Sequence, residues 1–518
     1  MKARAQLAAA LVGVALAGCS GGGGKSLTNP LLPPAHPGTT ASAAKLTIAG
    51  VGDSLTAGEQ SDFLAGQNIT SSLGTNPQLG VIAPGGVQAT QEHGFFALLW
   101  EQANGVGITA MSDPATSPLP LIKLPPGLGD VLVPTSSGFP YGISDVCDSS
   151  QIAANDFATA LNLRVNPGVN PYDVAIPGQT THEALYMTGA IGTCTLPANT
   201  PANLVDLNAL VNGESQYFWP ILAGFGRGVT QVEAAASLHA QVATVWLGSN
   251  DLLKFAFSGG ASPVTSPQSL GSDIATIVRQ LKAAGSKVVV ANLVDVMDAA
   301  TFIPQPAYAS ELQAFLENLI AAADPGLPPS AVQAIAGEYA SAYAAQETAQ
   351  TGLGANGYFQ INALFDTLQT AAAQIPAGAT PAAPTIPASL VVSDAVATQV
   401  KALNASYNQA IAQAASASGA PLVDIHSTFA QIAAAGGVPV NPPKCCSLVY
   451  DGGFFSLDGL HPSNTGYAIL ANQFIATLNA SFGYSIPPVN VGAVYATDPY
   501  APGNGVSGFS ALRKVKAR

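Results

Sequence analysis

The 518-residue chain is short of charge: Asp, Glu, Lys and Arg make up 9% of it, against roughly a quarter in an ordinary soluble domain. Positive charge is the scarcer sign, with 17 Lys and Arg against 30 Asp and Glu and a formal net charge of −13. Nucleic-acid binders draw most of their affinity from a basic face against phosphate, so this composition predicts no nucleic-acid partner. Beyond the first twenty or so residues there is no apolar run of membrane-spanning length, and the remainder reads as soluble. Internal repeats are absent as well. What the chain has in quantity is apolar residues, 48%, with 53 Gly and 39 Pro. That is enough apolar material to exclude intrinsic disorder. The length allows one large domain with insertions, or two domains.

The first residues speak to compartment. Lys2 and Arg4 precede an apolar stretch, Leu7 to Ala17, that is too short to cross a bilayer. It runs into Leu16-Ala17-Gly18-Cys19. This resembles a bacterial lipobox, which implies a signal peptide over 1–18 and a lipid on Cys19. Ser20, where an Asp would favour inner-membrane retention, implies delivery to the outer membrane, facing the periplasm or the cell surface. An ordinary signal peptide cut near the same small residues is the alternative. Residues 19–44, rich in Gly, Ser, Pro and Thr, read as a flexible tether. Four cysteines then remain, Cys147, Cys194, Cys445 and Cys446, an even number that suggests disulfides in an exported chain. Three pairings are open, one of them Cys147–Cys194 with a vicinal Cys445–Cys446 bridge.

Five short apolar runs stand out: Lys45–Val51, Tyr172–Ile176, Val242–Leu247, Lys287–Val294 and Pro421–Ile425. Continuous runs of this kind suit strands buried on both faces of a parallel sheet. Helical patterns over Asp273–Ala284, Asp394–Ser418 and Thr465–Leu478 lie between or after them. Strands alternating with helices predict an α/β fold: a three-layer, flavodoxin-like sheet of about five parallel strands flanked by helices. Two stretches exceed a minimal sheet and read as insertions, about 59–171, which includes the Pro-rich Pro118–Pro134, and about 301–387, Ala-rich and partly helical. They either rim a cleft or are surface padding. Residues 483–518 read as a Pro/Gly-rich tail.

Four motifs carry chemistry, although each, taken singly, suits an ordinary structural role. Gly52-Asp53-Ser54-Leu55 follows the first run and puts a serine on a strand-to-helix turn, where many serines merely cap. Asp458-Gly459-Leu460-His461-Pro462 precedes the last helix; an Asp three residues before a His can take its Nδ1 proton and leave Nε2 as a base. Gly248-Ser249-Asn250-Asp251 follows the third run and offers the Asn250 amide as a donor. Gly178 follows the second run, and its backbone N–H is a second candidate donor. The carboxyl ends of parallel strands share one edge, where ligands bind. A nucleophile, a base with its orienting acid and oxyanion donors therefore converge there, which is the inventory of acyl transfer. His36, His93, His182, His239 and His426 lack an Asp three residues upstream, although His182 falls close after Gly178. Asp251 and Asp424 read as caps or strand-end carboxylates.

In the order and placement of these motifs the chain resembles the SGNH hydrolases, the GDSL esterase/lipase family, over about residues 45–482. The family's Ser, Gly, Asn and His match Ser54, Gly178, Asn250 and His461, with Asp458 ahead of the histidine. The gap from Ser54 to Gly178 is longer than a minimal member needs. No G-x-S-x-G is present, which weighs against the α/β-hydrolases. The resemblance implies ester hydrolysis through an acyl-serine. Ser54 is then the nucleophile, His461 the base and Asp458 its partner. The N–H groups of Ser54 and Gly178 and the amide of Asn250 form the oxyanion hole. Neither a metal nor an organic cofactor is implied. The substrate would be a small-molecule or lipid ester, and the membrane would be met through the lipid anchor. A non-catalytic binding lipoprotein on the same fold, or an acyltransferase, is the alternative.

Overall fold

The structure is a computed structural model that describes residues 46–60, 64, 89–122, 164–166, 168–187, 221–225, 229–438, 445–502 and 504. The expected signal peptide, tether and Cys19, the cysteines Cys147 and Cys194, and most of 59–171 lie outside these residues.

Among the described residues seven strands are formed: β1 (Ile48–Gly52), β2 (Val242–Trp246), β3 (Lys287–Ala291), β4 (Phe302–Pro304), β5 (Tyr358–Gln360), β6 (Val391–Val392) and β7 (Leu422–Val423). The main sheet has the order β1-β2-β3-β7, and every pairing in it is parallel. Residues 172–176, the second expected strand, run alongside β1 on its other edge. They pair through a parallel bridge between Gly50 and Asp173 and through bonds such as Val174 N–H to Gly50 O at 3.1 Å. With this segment included, the five runs lie across the sheet in sequence order 2-1-3-4-5, the flavodoxin-like arrangement, whose switch point falls between the first and third runs. β1 and β2 are buried at every position, as continuous apolar runs require.

Helices cover the sheet in two packed groups. Pro267–Ala283 and Asp394–Ala417 lie against each other and against β3. The first buries Leu270, Ile274, Ile277, Val278 and Leu281, the 3–4 spacing of one helical face. It starts at a Ser266 cap with Pro267 in its first turn. The second group is Asn464–Phe482 against Phe95–Asn104. Phe474 of the former stacks on Phe95 of the latter at 4.4 Å, and both rings lie against Trp246 of β2. Phe95–Asn104 lies in the expected first insertion and had no helical signature. Its first seven residues are all buried, so it has no polar face to set a period.

The stretch read as a second insertion is folded. Three helices, Gln305–Ala323, Pro329–Thr351 and Ile361–Ala377, pack with a small antiparallel sheet, β4-β5-β6. The Pro/Gly-rich segment after Phe482 folds back in part. Its helix Val491–Thr497 packs on Asn464–Phe482, and the Asp498 carboxylate accepts from Thr465 N at 2.8 Å. Cys445 and Cys446 are disulfide-bonded to each other, and both are buried. None of the described helices is long and apolar enough to cross a membrane.

Candidate active site

Ser54 stands at the turn from β1 into the helix Ser54–Ala57 and is half-buried. Asp53 caps that helix, its Oδ1 accepting from Leu55 N at 3.0 Å. Gly52 is needed for close approach: a Cβ there would sit 2.0 Å from Thr56 Oγ1, inside any tolerable contact. The backbone of Gly52 is held by a side chain far along the sequence. Gln231 Oε1 accepts from Gly52 N at 3.1 Å, and Gln231 Nε2 donates to Gly52 O at 2.8 Å. The same Nε2 donates to Gln179 Oε1 at 2.8 Å, joining the end of β1 to the loop after residues 172–176.

Asn250 opens the helix Asn250–Phe257 directly after β2. Its Nδ2 donates to Asp53 Oδ2 and to Gln179 O, both at 3.2 Å. Asn250 is thereby tied to the neighbours of two other expected positions, Asp53 beside Ser54 and Gln179 beside Gly178, at the switch point of the sheet. Gly178 is half-buried in the turn before Gln179, at φ +81°, which favours glycine. Asp251, expected as a cap, instead accepts from Thr181 N at 2.9 Å and Thr181 Oγ1 at 3.1 Å. It bolts the helix after β2 to the helix Thr181–Tyr186. Asp424 does cap, accepting from Ser427 N at 3.1 Å.

His461 and Asp458 form the remaining part. His461 Nδ1 lies 2.7 Å from Asp458 Oδ2, and Asp458 Oδ1 accepts from Leu460 N at 2.7 Å and His461 N at 2.8 Å. Both side chains are buried. Burial alone would raise the Asp458 pKa, but the facing imidazole and these hydrogen bonds hold it below the ordinary value. With Nδ1 facing a carboxylate, the proton belongs on Nδ1 and Nε2 is the basic nitrogen. Residues some 400 apart close the site from behind. Gln60 Nε2 donates to Asn464 Oδ1 at 2.8 Å, and Tyr467 OH to Glu59 O at 2.7 Å.

Ser54, Asn250 and His461 line one pocket enclosing about 530 Å³, its mouth included. Asp53 and Ser249 are also at its wall, and the rest of the lining is apolar, including Leu253, Val296, Phe429 and Phe455. Gly178 is not in the lining; its neighbour Gln179 reaches the site through Asn250. Asp53 is buried, and desolvation pushes its carboxyl up to about 7 against the lowering influence of Leu55 N–H and His461. Glu59 is raised in the same way by burial. Among the described residues no group of three or more His, Cys, Asp or Glu could hold a metal ion. The contributions of Gln231 and Gln179 were invisible in the sequence, since a buried glutamine bonded to backbone leaves no motif.

A serine, an asparagine and a histidine bonded to an aspartate meet at one pocket at the switch point of a parallel sheet, the place where α/β proteins bind ligands. The family model for GDSL-like Lipase/Acylhydrolase matches residues 48–474, and the chain belongs to that family. The match spans both insertions. A comparison with curated proteins finds no match.

Proposed function

We propose that the protein is a serine esterase that hydrolyses carboxylic esters through an acyl-enzyme on Ser54. The observation that carries this reading is the shared pocket: Ser54, Asn250 and His461 line it together, and Asp458 is bonded to the far nitrogen of His461. Family membership supports a hydrolase of ester bonds. In the first step His461 Nε2 takes the proton of Ser54 Oγ as that oxygen bonds to the ester carbonyl carbon. The C–O bond to the alcohol then breaks, and the proton passes from Nε2 to the departing alkoxide. Water, deprotonated by the same nitrogen, cleaves the acyl-serine to the acid and regenerates Ser54. Asp458 holds the imidazole in the required tautomer and stabilises its cationic form. The tetrahedral oxyanion is met by the N–H groups of Ser54 and Gly178 and by the Asn250 amide. Both amide hydrogens of Asn250 are already engaged, by Asp53 and Gln179. The oxyanion therefore takes the place of one of these acceptors.

Export with a lipid on Cys19 is part of this proposal and rests on residues 1–20 alone. Metabolic labelling with a palmitate analogue should tag the wild-type chain and spare Cys19→Ala. For the chemistry, a fluorophosphonate probe should label the wild-type protein and not Ser54→Ala, and Ser54→Ala should abolish turnover of a short-chain nitrophenyl ester. Retained turnover in Ser54→Ala removes the acyl-serine, and absence of labelling in the wild type favours a binding protein on this fold. Transfer of the acyl group to an added alcohol in preference to water would make the protein an acyltransferase.

A further inference from the structure

The loop that carries Asp458 and His461 is closed on itself by Ser456 N–H to His461 O at 2.8 Å. Two further bonds tie it to the rest of the molecule at the residues on either side of Asp458. Tyr450 OH donates to Leu457 O at 2.8 Å, and Thr301 N donates to Gly459 O at 2.8 Å. Both lead into the helical insertion. The Tyr450 ring, 5% exposed, lies 5.7 Å from Phe315 and 5.7 Å from Phe365. Those rings belong to the helices Gln305–Ala323 and Ile361–Ala377. Thr301 is bonded onward, its carbonyl accepting from Ile361 N at 2.8 Å at the start of the second of these helices. The contact at Gly459 is too close for a side chain: its φ is +68°, and a Cβ would stand 2.7 Å from Thr301 N.

We infer that the insertion over 302–392 is a brace for the acid–base loop, and that Tyr450 is the positioning residue through which it acts. This rests on the acyl-serine reading and goes beyond it by giving the insertion a task in the reaction. Proton transfer between Ser54 and His461 tolerates little error, because it depends on placement to within a fraction of an ångström. Asp458 accepts three bonds from residues 460 and 461, so it moves with its loop as one piece. The loop's own bonds, among them Ser456 N to His461 O, Gly459 N to Ser456 O at 3.0 Å and those on Asp458, fix its shape, but stiffness relative to Ser54 has to come from contacts outside it. A ring clasped between two helices, with its hydroxyl on the carbonyl next to Asp458, supplies it from outside. Tyr450 is not in the pocket lining, and its hydroxyl is spent on the Leu457 carbonyl, so its influence passes through the loop.

The test uses the full-length protein and a short-chain nitrophenyl ester. Tyr450→Phe keeps the clasped ring and removes only the hydroxyl. Its kcat should fall roughly tenfold with KM within about twofold, the signature of misplacement at the reacting atoms. The low-pH limb of kcat/KM should also move to lower pH, since a loosened Asp458 stabilises the imidazolium less. The carboxyls facing His461 are Asp458 in contact, Asp53 from the turn after β1 and Glu59 beyond the first helix. Tyr450→Phe leaves the last two unchanged. Phe365→Leu, which slackens the clasp and keeps the hydroxyl, should move the limb the same way, and the double variant should show less than the sum. Ile375→Ala, at the far end of the helix carrying Phe365, should lower the thermal midpoint and leave the limb in place. If Tyr450→Phe does not fold, Phe365→Leu carries the same reading. Wild-type kcat and an unmoved limb in folded Tyr450→Phe, or in folded Phe365→Leu where the first does not fold, overturn the brace. An Ile375→Ala variant that shifts the limb equally also overturns it, reducing the effect to general stability. These outcomes leave the acyl-serine standing, because that reading fails only if turnover does not depend on Ser54.

Discussion

Among the described residues two histidine–aspartate pairs are buried, each joined from Nδ1 to Oδ2, and they differ in their surroundings. His461 and Asp458 are three residues apart, bonded at 2.7 Å, with His461 at the wall of a pocket that also contains a serine. His182 Nδ1 lies 3.2 Å from Asp273 Oδ2, a partner 91 residues away on another helix. His182 packs against the Tyr186 ring, and its Nε2 is buried without a hydrogen-bond partner among the described residues. The first pair presents its basic nitrogen to a space where a substrate fits; the second presents it to packed protein. A carboxylate on Nδ1 therefore defines a tautomer, and the surroundings of Nε2 decide whether that tautomer has anything to do. By this criterion His182, near Gly178 in sequence, is a fastener between the helices Thr181–Tyr186 and Pro267–Ala283.

The comparison can be broken by substitution. His461→Ala should cost about a thousandfold or more in kcat/KM for a nitrophenyl ester, with little change in thermal midpoint. His182→Ala should do the reverse, keeping activity within about threefold and lowering the midpoint by a few degrees. A large activity loss in folded His182→Ala would bring the second pair into the reaction. Next in size, Asn250→Ala should lower kcat by about 10²–10³, the effect of losing an oxyanion donor. A loss below about threefold removes Asn250 from that role.

Proton concentration should sharpen the contrast, because activity and stability answer to different groups. On the proposed mechanism activity needs neutral His461, so kcat/KM should decline as pH falls from about 8 to about 5. Stability should move the other way. Burial pushes Asp251 up to about 6, Asp53, Glu311 and Glu347 up to about 7, and Glu101 up to about 8. Each of these folded-state values is above its unfolded one. Their contribution is therefore complete below the ordinary carboxyl range and is lost progressively as pH rises from that range through the folded-state values of about 6 to about 8. The thermal midpoint should accordingly be higher near pH 5.5 than near pH 8.5, by roughly a few degrees. Glu347→Gln, in the insertion and away from the pocket, should flatten that slope slightly and leave the activity profile alone. A midpoint that rises with pH over this range would show these carboxyls to be ionised without cost.

The main sheet was legible because its strands lie in mostly apolar runs of five or more residues, three of them ending at glycine or proline. Three of the motifs were legible because each follows a strand, and the fourth because an Asp stands three residues before a His at the entry of the last helix. The small sheet was not, since β4, β5 and β6 have two or three residues each and no period can show in that length. The helix Phe95–Asn104 hid for the opposite reason, being buried along its first seven residues. The supports of the site hid because they are single residues brought from a distance. Gln231 meets Gly52 across 179 positions, and nothing in either local sequence announces it. The Cys445–Cys446 bond was one of three open pairings, and local sequence does not choose among them.

The order of the runs across the sheet has a consequence in time as well as space. A chain growing from its amino end completes β1 early but must reach residue 242 before that strand is flanked on both sides. The imidazole arrives only with residue 461, and the bonds Gln60–Asn464 and Tyr467–Glu59 bring it to the early turn across more than 400 positions. Such distant closures are slow steps in folding. On the proposed mechanism the hydroxyl of Ser54 therefore stays without its base for most of synthesis, and a nascent or truncated chain would carry the nucleophile in an inert form.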